Sequence, residues 1–270
     1  MSRPNPTEPA AHARVLAIAN QKGGVGKTTT AINLGTALGV AGRKVLIVDF
    51  DPQGNASTGF GIERADRHLT SYDVLLRETR FDEAILPTDI PNVDVVPATV
   101  DLSAAEVELV QHERRTHRLR DAFGTLTRAY DHVLIDCPPS LGLLTVNALA
   151  AAHAVMVPLQ CEFFALEGLS LLLRTVERVR KSFNPMLQMH GVVLTMYDRR
   201  NNLSEQVATD VRSFMGDRVY DTIIPRNVRV SEAPSHGKPV LLYDMRCAGS
   251  QAYIHLAKEV LNREQQGGAA

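Results

Sequence analysis

Short runs that are apolar throughout alternate along the chain with longer stretches whose apolar residues recur every three or four positions. The runs at 15–19, 44–49, 93–97, 132–136, 154–158, 187–197 and 219–225 are strand-length and rich in Val, Ile and Leu. Wholly apolar strands of this kind are buried on both faces, as in a parallel sheet. The periodic stretches predict helices at 28–40, 143–151, 166–183, 203–215, 228–233 and 249–261. Short helices are expected at 71–76 and 81–86. Two more are expected at 101–110, capped by Asp101, and at 114–128. Strand and helix alternate to the end. The prediction is an α/β fold with a doubly wound, mostly parallel sheet and helices on both faces. Ligands of such folds sit at the carboxyl ends of the strands.

No Gly-, Pro- or Ser-rich linker and no repeat interrupts the interior, so residues 14–262 are expected to form one domain. Residues 1–13 carry Pro4, Pro6 and Pro9 but no apolar core of a signal peptide, and read as a disordered tail. Residues 263–270 are polar and Gly-containing, and read as a flexible tail.

Composition narrows the class. The chain has 270 residues, 44% hydrophobic and 22% charged, enough for a sizeable core. No apolar run approaches the roughly 20 residues of a membrane helix. Cys137, Cys161 and Cys247 are far apart and show no C-x-x-C spacing. That argues against a disulfide framework or zinc site and fits a reducing cytoplasm. Net charge is −1, unevenly spread: residues 1–173 hold 15 Lys/Arg against 20 Asp/Glu, residues 174–246 hold 12 against 8. A mildly basic C-terminal region is compatible with nucleic acid, and equally with an ordinary surface.

The chemistry begins between the first strand and the first helix, at Asn20-Gln21-Lys22-Gly23-Gly24-Val25-Gly26-Lys27-Thr28-Thr29-Thr30. Strand, glycine-rich turn, Lys-Thr and helix make a phosphate-binding loop. Its backbone N–H groups converge on phosphate oxygens, and the helix adds its unpaired N–H groups. Lys27 would reach the β- and γ-phosphates, and the Thr28 hydroxyl would ligate Mg²⁺. The first glycine of the general pattern is replaced by Gln21, and a second lysine, Lys22, precedes the glycine pair. Lys22 is either a solvated charge or a cation serving a second nucleotide. Asp136 ends an apolar strand and suits the carboxylate that holds Mg²⁺ through water. Asp49 and Asp51, two apart, would point the same way from an extended strand, one toward the metal's water and one toward the attacking water. Alternatively Asp51-Pro52 merely starts a turn. Cys137 reads as small packing beside a diproline.

Lys22-Gly23-Gly24-Val25-Gly26-Lys27-Thr28-Thr29 resembles the deviant Walker A motif of the ParA/MinD family of P-loop ATPases. Val48-Asp49-Phe50-Asp51-Pro52-Gln53-Gly54-Asn55 resembles its A′ motif, and Leu134-Ile135-Asp136-Cys137-Pro138-Pro139 its Walker B motif. The segments 162–168 and 224–235 are similar to those of the chromosomal ParA (Soj) branch.

The resemblance implies a Mg²⁺-dependent ATPase that forms a homodimer with both ATP molecules at its interface. It implies that Lys22 crosses to the partner's phosphates, that Asp51 positions the attacking water, and that Asp49 supports the metal shell. Pro225 and Asn227 fall where the family recognises adenine, though Asn227 also suits a helix N-cap. Arg200 and Arg229 fall on positions where the family binds double-stranded DNA without sequence preference. A ParB-type centromere-binding protein would stimulate hydrolysis, and the protein would act in the cytoplasm on the nucleoid to segregate a chromosome or plasmid. Intrinsic turnover is expected to be slow, since the motifs supply no arginine finger.

The alternatives are a MinD-like membrane-bound regulator, an iron–sulfur reductase component and a sequence-specific repressor. The first needs an amphipathic C-terminal anchor, for which 258–268 has too few apolar residues. The second needs interface cysteines at positions not reproduced here. The third needs a helix-turn-helix before the loop, where thirteen Pro- and Ala-rich residues leave no room.

Overall fold

Leu16 and Ile18 pack into one apolar cluster and Val15 and Ala17 into another, so the first strand has a core on each face. The computed structural model describes residues 13–267. Eight strands form one sheet: β1 Arg14–Ile18, β2 Val45–Asp49, β3 Leu86–Pro87, β4 Val93–Val96, β5 His132–Asp136, β6 Ala154–Gln160, β7 Gln188–Tyr197 and β8 Val219–Pro225. Their order is β3-β4-β2-β5-β1-β6-β7-β8. Only the β3–β4 pair at the edge is antiparallel.

Helices Lys27–Val40 and Ala248–Gly267 cover the face that carries Leu16, Ile47 and Leu134. The other face lies under Ser71–Leu76, Arg118–Ala122, Leu143–Ala151, Ala165–Ser182 and Asn202–Met215. Each fully buried Leu, Ile or Val contributes about 1.5–3 kcal/mol relative to exposure. That is why the strands read as unbroken apolar runs. The expected α/β architecture is the observed one.

The differences from expectation have local causes. At 101–110 the backbone forms a 3₁₀ turn Val100–Ser103, a single helical turn Ala105–Glu108 and a second 3₁₀ turn Leu109–Gln111. Asp101 caps nothing; its carboxylate accepts from the Thr99 hydroxyl at 2.9 Å, and the Ser103 hydroxyl bonds back to the Val100 carbonyl at 2.6 Å. Such side chains compete with the helical ladder. Leu102, Ala105 and Leu109 still reach the core. The helix expected at 114–128 shrinks to Arg118–Ala122 and a 3₁₀ turn Phe123–Thr125. The Thr125 hydroxyl takes the Ala122 carbonyl at 2.8 Å and accepts the Phe81 amide at 2.9 Å, which stops the helix.

The flexible tail expected at 263–270 is helical through Gly267; the three residues after it, and residues 1–12 of the expected N-terminal tail, lie outside the described residues. Polar grips hold this last turn where apolar ones are lacking. Arg263 donates to the Asp217 and Val219 carbonyls at 3.1 and 2.8 Å and lies over the Tyr220 ring. Glu264 meets His132 at 2.9 Å and His190 at 3.6 Å beneath the sheet. Burial would raise the Glu264 pKa, but the two histidines hold it down to about 2. Among the described residues no helix is long and apolar enough to cross a membrane.

Candidate active site

Strands β1, β2 and β5 end level with one another. Ile18 pairs with Asp136, and Asp49 pairs with Asp136. Three sequence segments far apart in the chain therefore open onto one edge of the sheet, around the turn that follows β1. In that turn Gly24 and Gly26 take φ of 73° and 90°, a left-handed backbone that side chains disfavour. The loop is braced from below. The Asn20 amide donates to the Pro158 carbonyl at 2.7 Å, the Lys22 amide donates to Asn20 Oδ1 at 3.1 Å, and the Thr195 hydroxyl donates to the Val25 carbonyl at 2.8 Å. Helix Lys27–Val40 starts from Gly26 with no side-chain cap and no acidic residue in its first turn. Its first N–H groups and its positive end are left to an anion.

Lys27 is 6% exposed, and its Nζ donates to the Lys22 carbonyl at 2.9 Å, folded over the loop. Burial lowers its pKa, and the negative charges of Asp136 and, more weakly, Asp51 offset part of that. Lys22 lies on the outer rim, 41% exposed, paired with Glu162 at the end of β6. Sequence gave no hint of that pairing.

The carboxylates have different surroundings. β2 ends at Asp49, so Asp49 and Asp51 do not share an extended strand. The Asp49 carboxylate accepts the Ser57 amide at 2.7 Å and hydroxyl at 2.6 Å, and the Asp51 amide at 3.4 Å. Burial raises its pKa to about 6 against these bonds. Asp51 is 7% exposed, sits in the following loop, and accepts the Gln53 amide at 3.0 Å. Asp136 is fully buried, and neither of its carboxylate oxygens has a hydrogen-bond partner. Burial, then the charge of Asp49, push its pKa well up; the Thr28 hydroxyl, near but beyond hydrogen-bonding distance of either oxygen, and Lys27 more weakly, favour the charged form. A buried carboxylate with no partner is costly.

A magnesium ion fits this arrangement, because it would give the Asp136 oxygens a positive partner beside the Thr28 hydroxyl. Among the described residues no three His, Cys, Asp or Glu side chains gather to hold a metal on their own. The remaining ligands would come from phosphate and water, the usual habit of magnesium. Cys137 is buried with its thiol pKa raised by burial, which agrees with a packing role.

Beyond the loop a cavity of about 500 Å³ is walled by Gly26, Thr29, Thr195, Pro225, Asn227 and Tyr253, among others. The Asn227 side-chain oxygen caps helix Val228–Glu232 by accepting the Arg229 amide at 2.9 Å, and its amide nitrogen plays no part in that cap. Pro225 and Asn227 thus stand on the same cavity as the phosphate loop. Thr195 and Tyr253, which carry no motif signal, complete its wall.

Arg200 and Arg229 are exposed at the same end of the sheet, after β7 and β8. Arg200 pairs with Asp198 at 3.1 Å, and Arg229 with Glu232 at 3.0 Å and Asp244 at 3.6 Å. The Arg226 amide donates to the Tyr197 carbonyl at 2.9 Å, so the two loops lie side by side. Exposed pairs of this kind are worth about 0–1 kcal/mol and exchange easily.

Residues 13–189 match the family described as an AAA domain. The chain is 66% identical over 254 residues to the chromosome partitioning protein ParA of Caulobacter vibrioides, a match covering 93% of this chain and 95% of the relative. It is 54% identical over 247 residues to the sporulation initiation inhibitor protein Soj of Bacillus subtilis, covering 92% and 98%. Among solved structures it is similar to cobyrinic acid a,c-diamide synthase from Mycobacterium smegmatis with bound ATP analog and magnesium. That superposition has a TM-score of 0.83 at 38% identity and covers 94% of this chain and 97% of the other.

Proposed function

The chain belongs to the AAA-domain family and, within it, to the ParA/Soj chromosome-partitioning ATPases, and from that premise we propose that it is an ATP-gated dimer that holds DNA until hydrolysis releases it. The observation that carries this reading is the level meeting of the two-lysine phosphate loop, the partnerless Asp136 and the loop bearing Asp51. ATP lies with its phosphates over Gly23, Gly24, Val25 and Gly26 and on the first amides of Lys27, Thr28 and Thr29, and with adenine between Pro225 and Asn227. Lys27 exchanges the Lys22 carbonyl for phosphate oxygens. Thr28 and Asp136 would hold Mg²⁺, with Asp49 behind them, and the ion would supply charge neutralisation for the phosphates.

Two copies face each other across their nucleotides. Lys22 leaves Glu162 and reaches the partner's phosphates, which completes both sites at once. Asp51 orients the water that attacks the γ-phosphate, giving ADP and phosphate. The chain supplies no arginine finger in its motifs, so turnover is slow until a ParB-type protein stimulates it.

The dimer brings two sets of Arg200 and Arg229 onto one surface, where they exchange carboxylates for DNA phosphates. Contact of this kind ignores sequence, and places the active dimer on the nucleoid. A membrane-anchored role is disfavoured by the closing helix, which lies against the core and is pinned at Arg263 and Glu264.

Arg229→Glu tests the DNA face. The variant is expected to dimerise with ATP as the wild type does and to lose DNA affinity at least about tenfold, since two phosphate contacts become two repulsions per dimer. Sedimentation reads the dimer and a mobility-shift titration reads DNA. Unchanged DNA affinity would remove Arg229 from the face.

A further inference from the structure

Arg67 lies in the segment joining helices Asn55–Gly59 and Ser71–Leu76, outside every recognisable motif, yet it is 7% exposed. Its guanidinium has five N–H donors, and all five are used. Nε donates to the Ile62 carbonyl at 3.3 Å, Nη1 to the carbonyls of Gly54 at 3.2 Å and Ala98 at 3.0 Å, and Nη2 to the Thr58 hydroxyl at 2.8 Å and the Ile62 carbonyl at 2.7 Å. No acceptor is a carboxylate. Burial lowers the Arg67 pKa, and the Asp49 charge is the chief influence supporting it.

What this side chain holds is the loop of Asp51. Gly54 closes the turn that starts at Asp51, its amide donating to the Asp51 carbonyl at 2.9 Å, and it takes a left-handed φ of 64°. Any Cβ there would stand 2.4 Å from Arg67 Nη1 and 2.7 Å from the Ala98 carbonyl oxygen. The helix Asn55–Gly59 that follows supplies Ser57, which binds Asp49 and accepts the Ala98 amide at 3.1 Å on its hydroxyl. Ala98, just past the end of β4, is therefore tied through its amide to Ser57 and through its carbonyl to Arg67. The two ties hold the segment from Gly54 to Thr58 against the sheet, and the Gly54 amide passes that hold to the Asp51 carbonyl. Arg67 lines neither the phosphate loop nor the adenine cavity. It opens instead onto a separate groove of about 680 Å³ with Gln53, Asn55, Arg64 and His236.

We propose that Arg67 is a positioning residue for hydrolysis: by gathering Gly54, Thr58, Ile62 and Ala98 it fixes the loop that aims Asp51 at the attacking water. The inference rests on the reading of Asp51 given above. Lysine cannot replace the arginine, because one ammonium offers three donors from a single point and cannot span four acceptors. Loss of the clamp lets Asp51 wander while nucleotide contacts persist, so it lowers kcat and leaves KM and ATP affinity in place.

The test compares Arg67→Lys, Arg67→Gln and Asp51→Ala with the wild type. Each protein is followed for ATP turnover against ATP concentration, for affinity for a fluorescent ATP analogue, and for thermal unfolding. Arg67→Lys and Arg67→Gln are expected to lose at least about tenfold in kcat with KM and analogue affinity within about threefold. Should Arg67→Gln fail to fold, Arg67→Lys and Thr58→Val, which removes one acceptor, carry the comparison, the latter with a loss of about two- to fivefold in kcat. Wild-type kcat in Arg67→Lys, or a loss of analogue binding in step with kcat, overturns the proposal. Asp51→Ala separates the two readings. If it is inactive while Arg67→Lys turns over normally, only the role of Arg67 fails; if it turns over normally itself, the role of Asp51 fails and that of Arg67 with it.

Discussion

Asp51→Ala is expected to bind ATP, dimerise and remain on DNA while hydrolysing about 10²–10³-fold more slowly than the wild type. That is the scale at which a positioned carboxylate acts on a proton or a water. The structure separates Asp51 from the gripping machinery. In the proposed site, phosphate grip falls to the turn after β1 and to Lys27, and the metal to Asp136, whose buried carboxylate oxygens are unpaired. Asp51 lies in its own loop, braced by Gln53 and Gly54, so its loss leaves those groups where they are. Phosphate release measures turnover, and sedimentation with ATP measures the dimer. Wild-type turnover would remove Asp51 from hydrolysis. Loss of ATP binding would show that it supports the fold of the site instead.

Lys22→Ala is expected to bind ATP as a monomer and to lose dimerisation by about 10³-fold or more. Removing one partner of a desolvated charge pair at an interface costs roughly 2–5 kcal/mol, and here the loss occurs twice. The Lys22 side chain, unlike that of Lys27, does not fold over its own loop. Its amino group is on the rim, held only by Glu162 in an exposed pair worth about 0–1 kcal/mol, so leaving costs little. Lys27 is buried over the loop it serves. ATP-driven dimers of normal stability in Lys22→Ala would contradict the shared-nucleotide reading.

The strands and long helices were legible because each has one dominant physical cause. Runs such as Val45–Val48 are apolar on both faces because both faces are covered, and Leu143–Ala151 forms where its pattern places it. The phosphate loop was legible because left-handed backbone needs glycine and because phosphate needs lysine and a hydroxyl. Legibility ended where polar side chains hold backbone. Thr99, Ser103 and Thr125 break helices that the apolar spacing predicts, and Arg263 and Glu264 extend one that it does not. The same limit hid part of the site. Ser57, Thr195, Glu162 and Arg67 act through contacts 5 to 170 residues away in the chain, and no local pattern encodes those. A buried arginine after a Gly-rich turn is a weak signal in a sequence and a strong one in a structure. Asp49 shows the reverse: its motif was plain, but its carboxylate is engaged by Ser57 rather than facing the phosphate loop alone.

In the proposed cycle ATP, not ADP, places this protein on DNA as a dimer. This is tested most directly by titrating non-specific double-stranded DNA with the wild type under ATP, ADP and no nucleotide, each at about 50 and 200 mM salt. Binding is expected with ATP only, with affinity falling steeply, by about 10²-fold or more, between the two salts as phosphate contacts are screened. Equal binding in all three nucleotide states, or ATP-dependent binding indifferent to salt, would contradict it.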